Sequence, residues 1–157
     1  MEAGNKAAVV YFSCSRNTER VAKAIAEKIG ADLCKIEAKV PYSDDDLSWR
    51  DMNSRANREQ NDASVRPEIA NIPDVSWYDT VYLGYPIWWG TLPKILNTFI
   101  ETKVLDGKKI IAFCTSGSSG IETSVSALRD YGLNVASSQR FGSSASENEV
   151  EEWLEEL

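Results

Sequence analysis

The sequence predicts a doubly wound α/β fold, a three-layer sandwich in which helices cover both faces of a five-stranded parallel sheet. Short apolar runs alternate with amphipathic helical patterns along the chain. The run at residues 80–85 is apolar enough for a strand buried on both faces, as in parallel sheets. Polar loops follow the first, third and fourth predicted strands. We expect one domain over residues 1–157, because this length supports a single core.

The first predicted strand, at residues 7–13, ends in a cluster of hydroxyl and amide side chains. A helix follows from residue 17 to residue 29, because Val21 and Ile25 recur on one apolar face. Gly30 then stands where a left-handed helix cap is expected. This strand, polar turn and helix together form a geometry typical of anion binding.

A short second strand is predicted at residues 33–36, and a long polar connection follows at residues 41–76. The acidic residues 44–46 favour a helix start, and that helix would carry Trp49 and Met52. The connection is interpreted as a solvated helix and linker. The alternative is a flap over a ligand, because connections of this length are often binding loops.

The second half of the chain repeats the alternation of strands and helices. Pro93 occupies a first helical position and precedes a regular apolar stripe. Val125 lies on the apolar face of the next helix, and Ser146 with Glu149 forms a capping box for the last one. The three predicted strands cover residues 80–85, 109–114 and 134–138.

Composition excludes several classes of function. Seventeen Lys and Arg against 24 Asp and Glu give a formal charge of −7, which argues against nucleic acid or an anionic membrane as partner. There is no His, so His-based acid–base catalysis and His metal ligation are excluded. The three Cys lack metal-ligand spacing, so no metal is expected, and their number fits a reducing cytoplasm. No signal peptide or long apolar segment is found, so we expect a cytoplasmic location.

Three loops are predicted to meet at one edge of the sheet. In the strand order 2-1-3-4-5, strands one, three and four are neighbours, and ligands bind outside their carboxyl ends. Residues 13–18 offer hydroxyl groups and a helix N-terminus for a phosphate, without the Lys of a nucleotide-triphosphate loop. Residues 86–91 offer two Trp, and residues 115–120 offer glycines with backbone N–H groups. This set suits a ligand with a phosphate, a flat aromatic system and a hydrogen-bonding edge, and FMN has all three.

These loops resemble, in order and spacing, the three cofactor loops of the flavodoxin family, and the resemblance covers nearly the whole chain. It implies a flavodoxin-like fold of the short group and FMN as cofactor. Residues 13–18 correspond to the phosphate loop, residues 84–90 to the ring-stacking loop, and residues 115–120 to the loop at the pyrimidine edge. No residue is expected to be catalytic. The cofactor-binding residues that it implies are Ser13, Ser15, Arg16, Asn17, Thr18, Pro86, Ile87, Trp88, Trp89, Gly90, Thr115, Ser116, Gly117, Ser118 and Gly120.

Individual roles follow from the resemblance. Trp88 lies where family members place an aromatic ring against the isoalloxazine, and Trp89 is the weaker candidate because adjacent side chains point apart. Arg16 replaces the usual Gly and either adds a cation near the phosphate or points to water. The third loop has no aromatic residue, so the second flavin face is expected to stay open unless Trp49 or a Tyr folds over it.

The resemblance implies an electron carrier that shuttles electrons between redox partner proteins. The alternative is an FMN-dependent oxidoreductase that takes hydride from NAD(P)H and reduces a quinone-type substrate. The chain has no Gly-x-Gly-x-x-Gly fingerprint for a dinucleotide in addition to the FMN loops, which favours the carrier. An open flavin face favours the oxidoreductase. Acidic residues crowd the last helix, which predicts a partner with a basic docking face.

A third hypothesis concerns Cys14 and Arg20. Their spacing, with Asn17 between them, resembles the phosphate loop of low-molecular-weight protein tyrosine phosphatases, in which a Cys thiolate attacks phosphorus. Val21 stands where that family has Ser or Thr, and the chain has no Asp-Pro dipeptide for a general-acid loop. The hypothesis also leaves the two Trp unexplained. A response-regulator receiver is discarded, because no Asp ends the third strand.

Overall fold

The computed structural model describes residues 7–14 and 16–157, and their secondary structure alternates as predicted. The helices are α1 (Arg16–Ile29), α2 (Arg55–Gln60), α3 (Lys94–Glu101), α4 (Glu122–Asp130) and α5 (Glu147–Glu156). The strands are β1 (Ala7–Tyr11), β2 (Asp32–Lys35), β3 (Glu37–Ala38), β4 (Ile69–Asn71), β5 (Thr80–Pro86), β6 (Lys109–Thr115) and β7 (Asn134–Phe141).

The main sheet has the order β2-β1-β5-β6-β7, and every neighbouring pair in it is parallel. This order is the predicted 2-1-3-4-5, since β5, β6 and β7 are the third, fourth and fifth main strands. In register, Val10 of β1 pairs with Leu83 of β5, which pairs with Ala112 of β6. The predicted flavodoxin-like fold class is therefore confirmed, and β1, β5 and β6 end side by side.

Alternation along the strands divides the core between the two faces of the sheet. Ala8 and Val10 join the cluster that contains the apolar faces of α3 and α4. Val9 and Tyr11 join the cluster that contains those of α1 and α5. Since successive strand residues point to opposite faces, β1 is buried on both sides. The result is the predicted three-layer sandwich.

Several local predictions hold. Gly30 adopts φ 68° directly after α1, as the left-handed cap requires. Ser146 caps α5, with the Glu149 N–H donating to the Ser146 hydroxyl at 3.2 Å. β7 extends to Phe141, three residues beyond the predicted end, because its pairing with β6 continues to Thr115.

The prediction of a helix from residues 44–46 through Met52 is wrong. One turn of 3-10 helix covers Asp45–Leu47, and Trp49 and Met52 follow it in exposed turns. Local side chains here bond to backbone N–H groups in place of helical carbonyls: the Asn53 N–H donates to the Asp51 carboxylate at 2.9 Å. Ser54 then caps α2, so helix formation restarts only at residue 55.

An antiparallel ribbon of β3 and β4 was not predicted from the sequence. It pairs Glu37 with Asn71 and Ala38 with Ile69, so it joins the residues just before the long connection to a stretch near its end. Strands of two and three residues are too short to show a two-residue periodicity in the sequence. The chain between the two strands is thereby closed into a loop.

Candidate functional site

Backbone hydrogen bonds link the three polar loops at the carboxyl edge of the sheet. The Phe12 N–H donates to the Gly84 carbonyl at 3.0 Å and joins the first loop to β5. The Ile87 N–H donates to the Thr115 carbonyl at 3.1 Å and joins the second loop to β6. The loops thus meet as the strand order predicts.

The first loop leads directly into α1, whose N-terminus faces this edge. Arg16 is the first residue of the helix and is exposed, and Asn17 is half-buried behind it. The Ser13 hydroxyl accepts the Glu19 N–H at 3.3 Å. Ser15 lies outside the described residues. The positive end of the helix dipole at Arg16 provides an electrostatic environment suited to an anion.

Thr18 and Thr115 connect the first loop to the third. Their hydroxyl oxygens lie 2.6 Å apart, and both side chains are buried. Either hydroxyl can be the donor, so this bond joins the two loops whichever way it runs.

The second loop turns back sharply after β5. The Trp88 N–H donates to the Thr91 carbonyl at 3.0 Å, and the Thr91 N–H donates to the Trp88 carbonyl at 3.1 Å. Between them, Trp89 has φ 51° and Gly90 has φ 81°, the backbone of a type I′ turn. Positive φ is uncommon for a residue as bulky as Trp. This turn places the two indole rings at 80° to one another.

Trp88 is held by other aromatic residues, whereas Trp89 is exposed. The Trp88 ring makes edge-to-face contacts with Phe12 at 5.7 Å and with Tyr42 at 5.4 Å between ring centroids. Trp89 is 42% exposed. The two neighbours thus present different surfaces to a ligand, with Trp88 the more rigid of the two.

A cleft of about 490 Å³ lies beside this turn, within the range of small-molecule sites. It is lined by residues 86–89 and by Leu47, Trp49 and Ala56 of the long connection. Cys14 of the first loop also lines it. Of the predicted site residues that the structure describes, only Pro86, Ile87, Trp88 and Trp89 line this cleft.

The third loop lies at the same edge but outside the lining of the cleft. Its positioning residue, Arg140 at the end of β7, was missed by the sequence analysis. The guanidinium donates to the Ser116 hydroxyl at 2.8 Å, to the Ser116 carbonyl at 3.1 Å and to the Gly117 carbonyl at 2.9 Å. Ser118 and Gly120, beyond this anchor, are exposed. A single Arg at a strand end carries no signal in the sequence for such a role.

A cluster of polar residues from the long connection was also missed. The Arg55 guanidinium carbon lies 3.8 Å from the centroid of the Tyr42 ring, and Arg55 Nε is 2.9 Å from the Glu59 carboxylate. The Tyr42 hydroxyl donates to the same carboxylate at 2.5 Å. Burial and this bond to Glu59 raise the pKa of Tyr42, so its hydroxyl remains a donor at neutral pH.

The contacts of Cys14 and Arg20 differ from those of a phosphatase site. Burial raises the pKa of the Cys14 thiol to about 12, against the opposing effect of Arg55 and Lys35, so the thiol is protonated at neutral pH. The Arg20 guanidinium donates to the Ser143 carbonyl at 2.6 Å, on the side of α5. A thiolate nucleophile beside a phosphate-binding Arg is therefore not formed here.

Residues 7–14 and 16–157 contain no group of three or more Cys, Asp or Glu arranged to hold a metal ion. None of the helices in this part of the chain combines the length and the apolar character that crossing a membrane requires.

Comparison with known proteins gives a consistent result. The family model described as Flavodoxin matches residues 6–157. No curated protein matches the chain. A protein from Bacteroides uniformis, provisionally described as a flavoprotein, is 37% identical, with a TM-score of 0.91 over 97% of this chain and 99% of its own.

Two further solved structures are similar. A protein from Bacteroides eggerthii, also provisionally described as a flavoprotein, is 36% identical, with a TM-score of 0.86 over 97% of each chain. A flavoprotein from Lactobacillus acidophilus, solved in complex with FMN, is 23% identical, with a TM-score of 0.71 over 95% of this chain and 98% of its own. At that identity, the last similarity concerns the fold.

Proposed function

This chain belongs to the flavodoxin family, and on that premise we propose that it binds FMN and carries electrons between redox partner proteins. One observation supports the proposal above the others: the start of α1 and a tryptophan-lined cleft lie together at the carboxyl edge of the sheet, with Cys14 at their junction. That edge is where open parallel sheets bind their ligands. The structurally similar Lactobacillus acidophilus flavoprotein was solved with FMN.

The residues at this edge fit the chemistry of FMN. The N-terminus of α1, at Arg16, suits the terminal phosphate. The cleft between Trp49 and Trp88 is largely apolar and large enough for a planar aromatic ring system. Cys14, protonated at neutral pH, adds no negative charge to the cleft. When bound, FMN supplies one- and two-electron redox chemistry, and the protein contributes binding and orientation.

The FMN-dependent oxidoreductase remains a second candidate. It is favoured by the exposure of the cleft rim, where Trp89 is 42% exposed and a second substrate has room to approach. The two functions differ in a simple assay, because the oxidoreductase consumes NADH or NADPH without a protein partner. We place the carrier first, since the chain has no Gly-x-Gly-x-x-Gly fingerprint that would bind a nicotinamide dinucleotide beside FMN.

The proposed redox partner presents a basic face. Six glutamates on α5 are exposed, and Glu147 and Glu149 lie in its first turn, at the end that follows the carboxyl edge of β7. Glu155 and Glu156 stand at the helix C-terminus, where negative charge is unfavourable, so fold stability does not explain them.

The proposed location is the cytoplasm, because a reducing compartment fits the unpaired state of the three cysteines.

We expect the association rate with a reductase partner to fall as salt rises, and to fall when these glutamates are changed to Gln. The matched control changes Asp106 and Asp130, which are exposed acids that precede β6 and β7 at the opposite edge of the sheet. Stopped-flow kinetics measures the association rate of the wild type, the Gln variants and the control at each salt concentration. Rates that are independent of salt would leave the glutamates with a role in solubility alone.

Phosphate recognition is tested by comparing FMN with riboflavin. Ser15→Ala is expected to weaken FMN binding about tenfold, because a hydrogen bond to a charged group is lost, and to leave riboflavin binding unchanged. Thr18→Ala is less suitable, since it also breaks the buried bond to Thr115. Ser76→Ala, in an exposed turn before β5, is the control. Fluorescence titration that finds both ligands weakened equally would place the phosphate elsewhere.

A further inference from the structure

The stretch at residues 42–60, which we call the outer segment, forms a wall of the cleft. Leu47, Trp49 and Ala56 line the cleft together with the tryptophan turn at residues 86–89. Ala56 is 1% exposed, which is a core value for a residue in a connection expected to be solvated. The outer segment is therefore an ordered part of the candidate site.

Gln60 attaches the outer segment to the tryptophan turn. Its side-chain amide donates to the Trp88 carbonyl at 3.0 Å and to the Leu92 carbonyl at 3.1 Å. Its amide oxygen accepts the Lys94 N–H at 3.0 Å. One side chain thus satisfies three backbone groups across the second loop. Gln60 thus fixes the outer segment to the tryptophan turn at this end of the cleft.

The other end of the segment is fixed by the cluster around Tyr42. The Tyr42 ring contacts Trp88 at 5.4 Å and carries the Arg55 guanidinium on its face. Arg55 also donates to the Val40 carbonyl at 2.7 Å, and its partner Glu59 is buried. Because a buried carboxylate needs such partners, this cluster resists opening. Tyr42 and Arg55 thus hold the outer segment against Trp88.

Trp49 is the large apolar side chain that the outer segment presents at the cleft. It is 68% exposed although it lines the cleft, and the Arg50 guanidinium carbon lies 5.0 Å from its ring centroid. Packing within the fold does not account for an indole at this position, because two thirds of its surface is in contact with water. A planar aromatic ligand in the cleft would cover that surface.

We propose that Trp49 covers the outer face of the isoalloxazine ring, opposite the tryptophan turn, and that the outer segment is part of the cofactor site. The inference rests on the proposed binding of FMN. It replaces the expectation that the second flavin face stays open. Access to that face by a nicotinamide ring would then require Trp49 to move, which favours the electron carrier over the oxidoreductase.

The test compares Trp49→Ala with Trp77→Ala and Trp49→Phe. Trp77 is the matched control, because it is 76% exposed and lies in the turn before β5, at the opposite edge of the sheet. Trp49→Ala is expected to weaken FMN and riboflavin by the same factor of about two to ten, through lost stacking. Trp49→Phe retains most of the affinity, and Trp77→Ala leaves it unchanged.

A second readout concerns access to the ring. Iodide should quench the fluorescence of bound flavin more strongly in Trp49→Ala than in the wild type, while Trp77→Ala matches the wild type. Equal affinity and equal quenching in Trp49→Ala and Trp77→Ala would overturn the role of Trp49, and FMN binding by the wild type would still stand. Weakening of FMN without weakening of riboflavin would also overturn it. A wild-type protein that binds no flavin would refute the proposed function itself.

Discussion

Replacing Gly84 with Ala is expected to lower the free energy of unfolding by about 1–3 kcal/mol, as overpacking of a close-packed core does. A Cβ at this position would lie 2.1 Å from Phe113 Cζ and 2.3 Å from Phe113 Cε2. Gly84 pairs with Tyr11 on one side and with Phe113 on the other. It is the small residue between two aromatic residues on one face of the sheet.

The Phe113 ring has little room to move away. It is 0% exposed in the cluster beneath α1 and α5, and Tyr11 across the sheet is fixed by its hydrogen bond to Glu19. Relief therefore requires β5 or β6 to shift, and both strands end at the candidate site. We expect Gly84→Ala to weaken FMN binding as a secondary effect.

Urea denaturation measures the effect on stability, and Gly142→Ala is the control. A Cβ at Gly142 meets no atom within 4 Å, and its backbone has no positive φ, so that variant should unfold like the wild type. Adding Phe113→Leu to Gly84→Ala should restore part of the lost stability, since the two side chains share one space. Equal midpoints for Gly84→Ala and Gly142→Ala would show that the ring accommodates the methyl group.

The fold was predictable because each main element carries its own local signal. β5 is an apolar run, α1 repeats Val21 and Ile25 on one face, and Ser146 stands three residues before Glu149. These signals depend on residues within a few positions of each other. The order 2-1-3-4-5 is one of the two common orders of doubly wound sheets, and once it is assumed the edge at which the loops meet follows.

Much of the candidate site was not predictable, because it depends on contacts between distant residues. Thr18 and Thr115 are 97 positions apart, and Gln60 reaches Trp88 across 28 positions. Neither pair has a local spacing that a helix or strand would impose. The type I′ turn gives a partial signal, since Gly90 fits its second position, whereas Asn or Asp is usual where Trp89 stands. The indole orientation therefore emerges only in three dimensions.

Trp88→Ala is expected to weaken FMN binding by about 1–3 kcal/mol, through lost stacking and lost burial. The indole is half-buried against Phe12 and Tyr42, so it offers the ligand a surface that is already ordered. Such a surface costs little conformational entropy on binding. Trp89 is 42% exposed and less restrained, so Trp89→Ala should cost much less.

Flavin fluorescence separates the two indoles further, because a stacked Trp quenches it. Bound flavin should become brighter in Trp88→Ala and change little in Trp89→Ala, and the reverse pattern would make Trp89 the stacking residue. Trp88→Ala also removes contacts with Phe12 and Tyr42 and so lowers stability. Binding must therefore be measured well below the temperature at which this variant unfolds. Trp88→Phe provides the check: it keeps a ring at this position, so brighter flavin with nearly normal stability identifies a lost indole contact rather than a loosened fold. If Trp49 covers the opposite face, the Trp49→Ala and Trp88→Ala double variant should bind flavin more weakly than either single variant, because each indole contacts a different side of the ring.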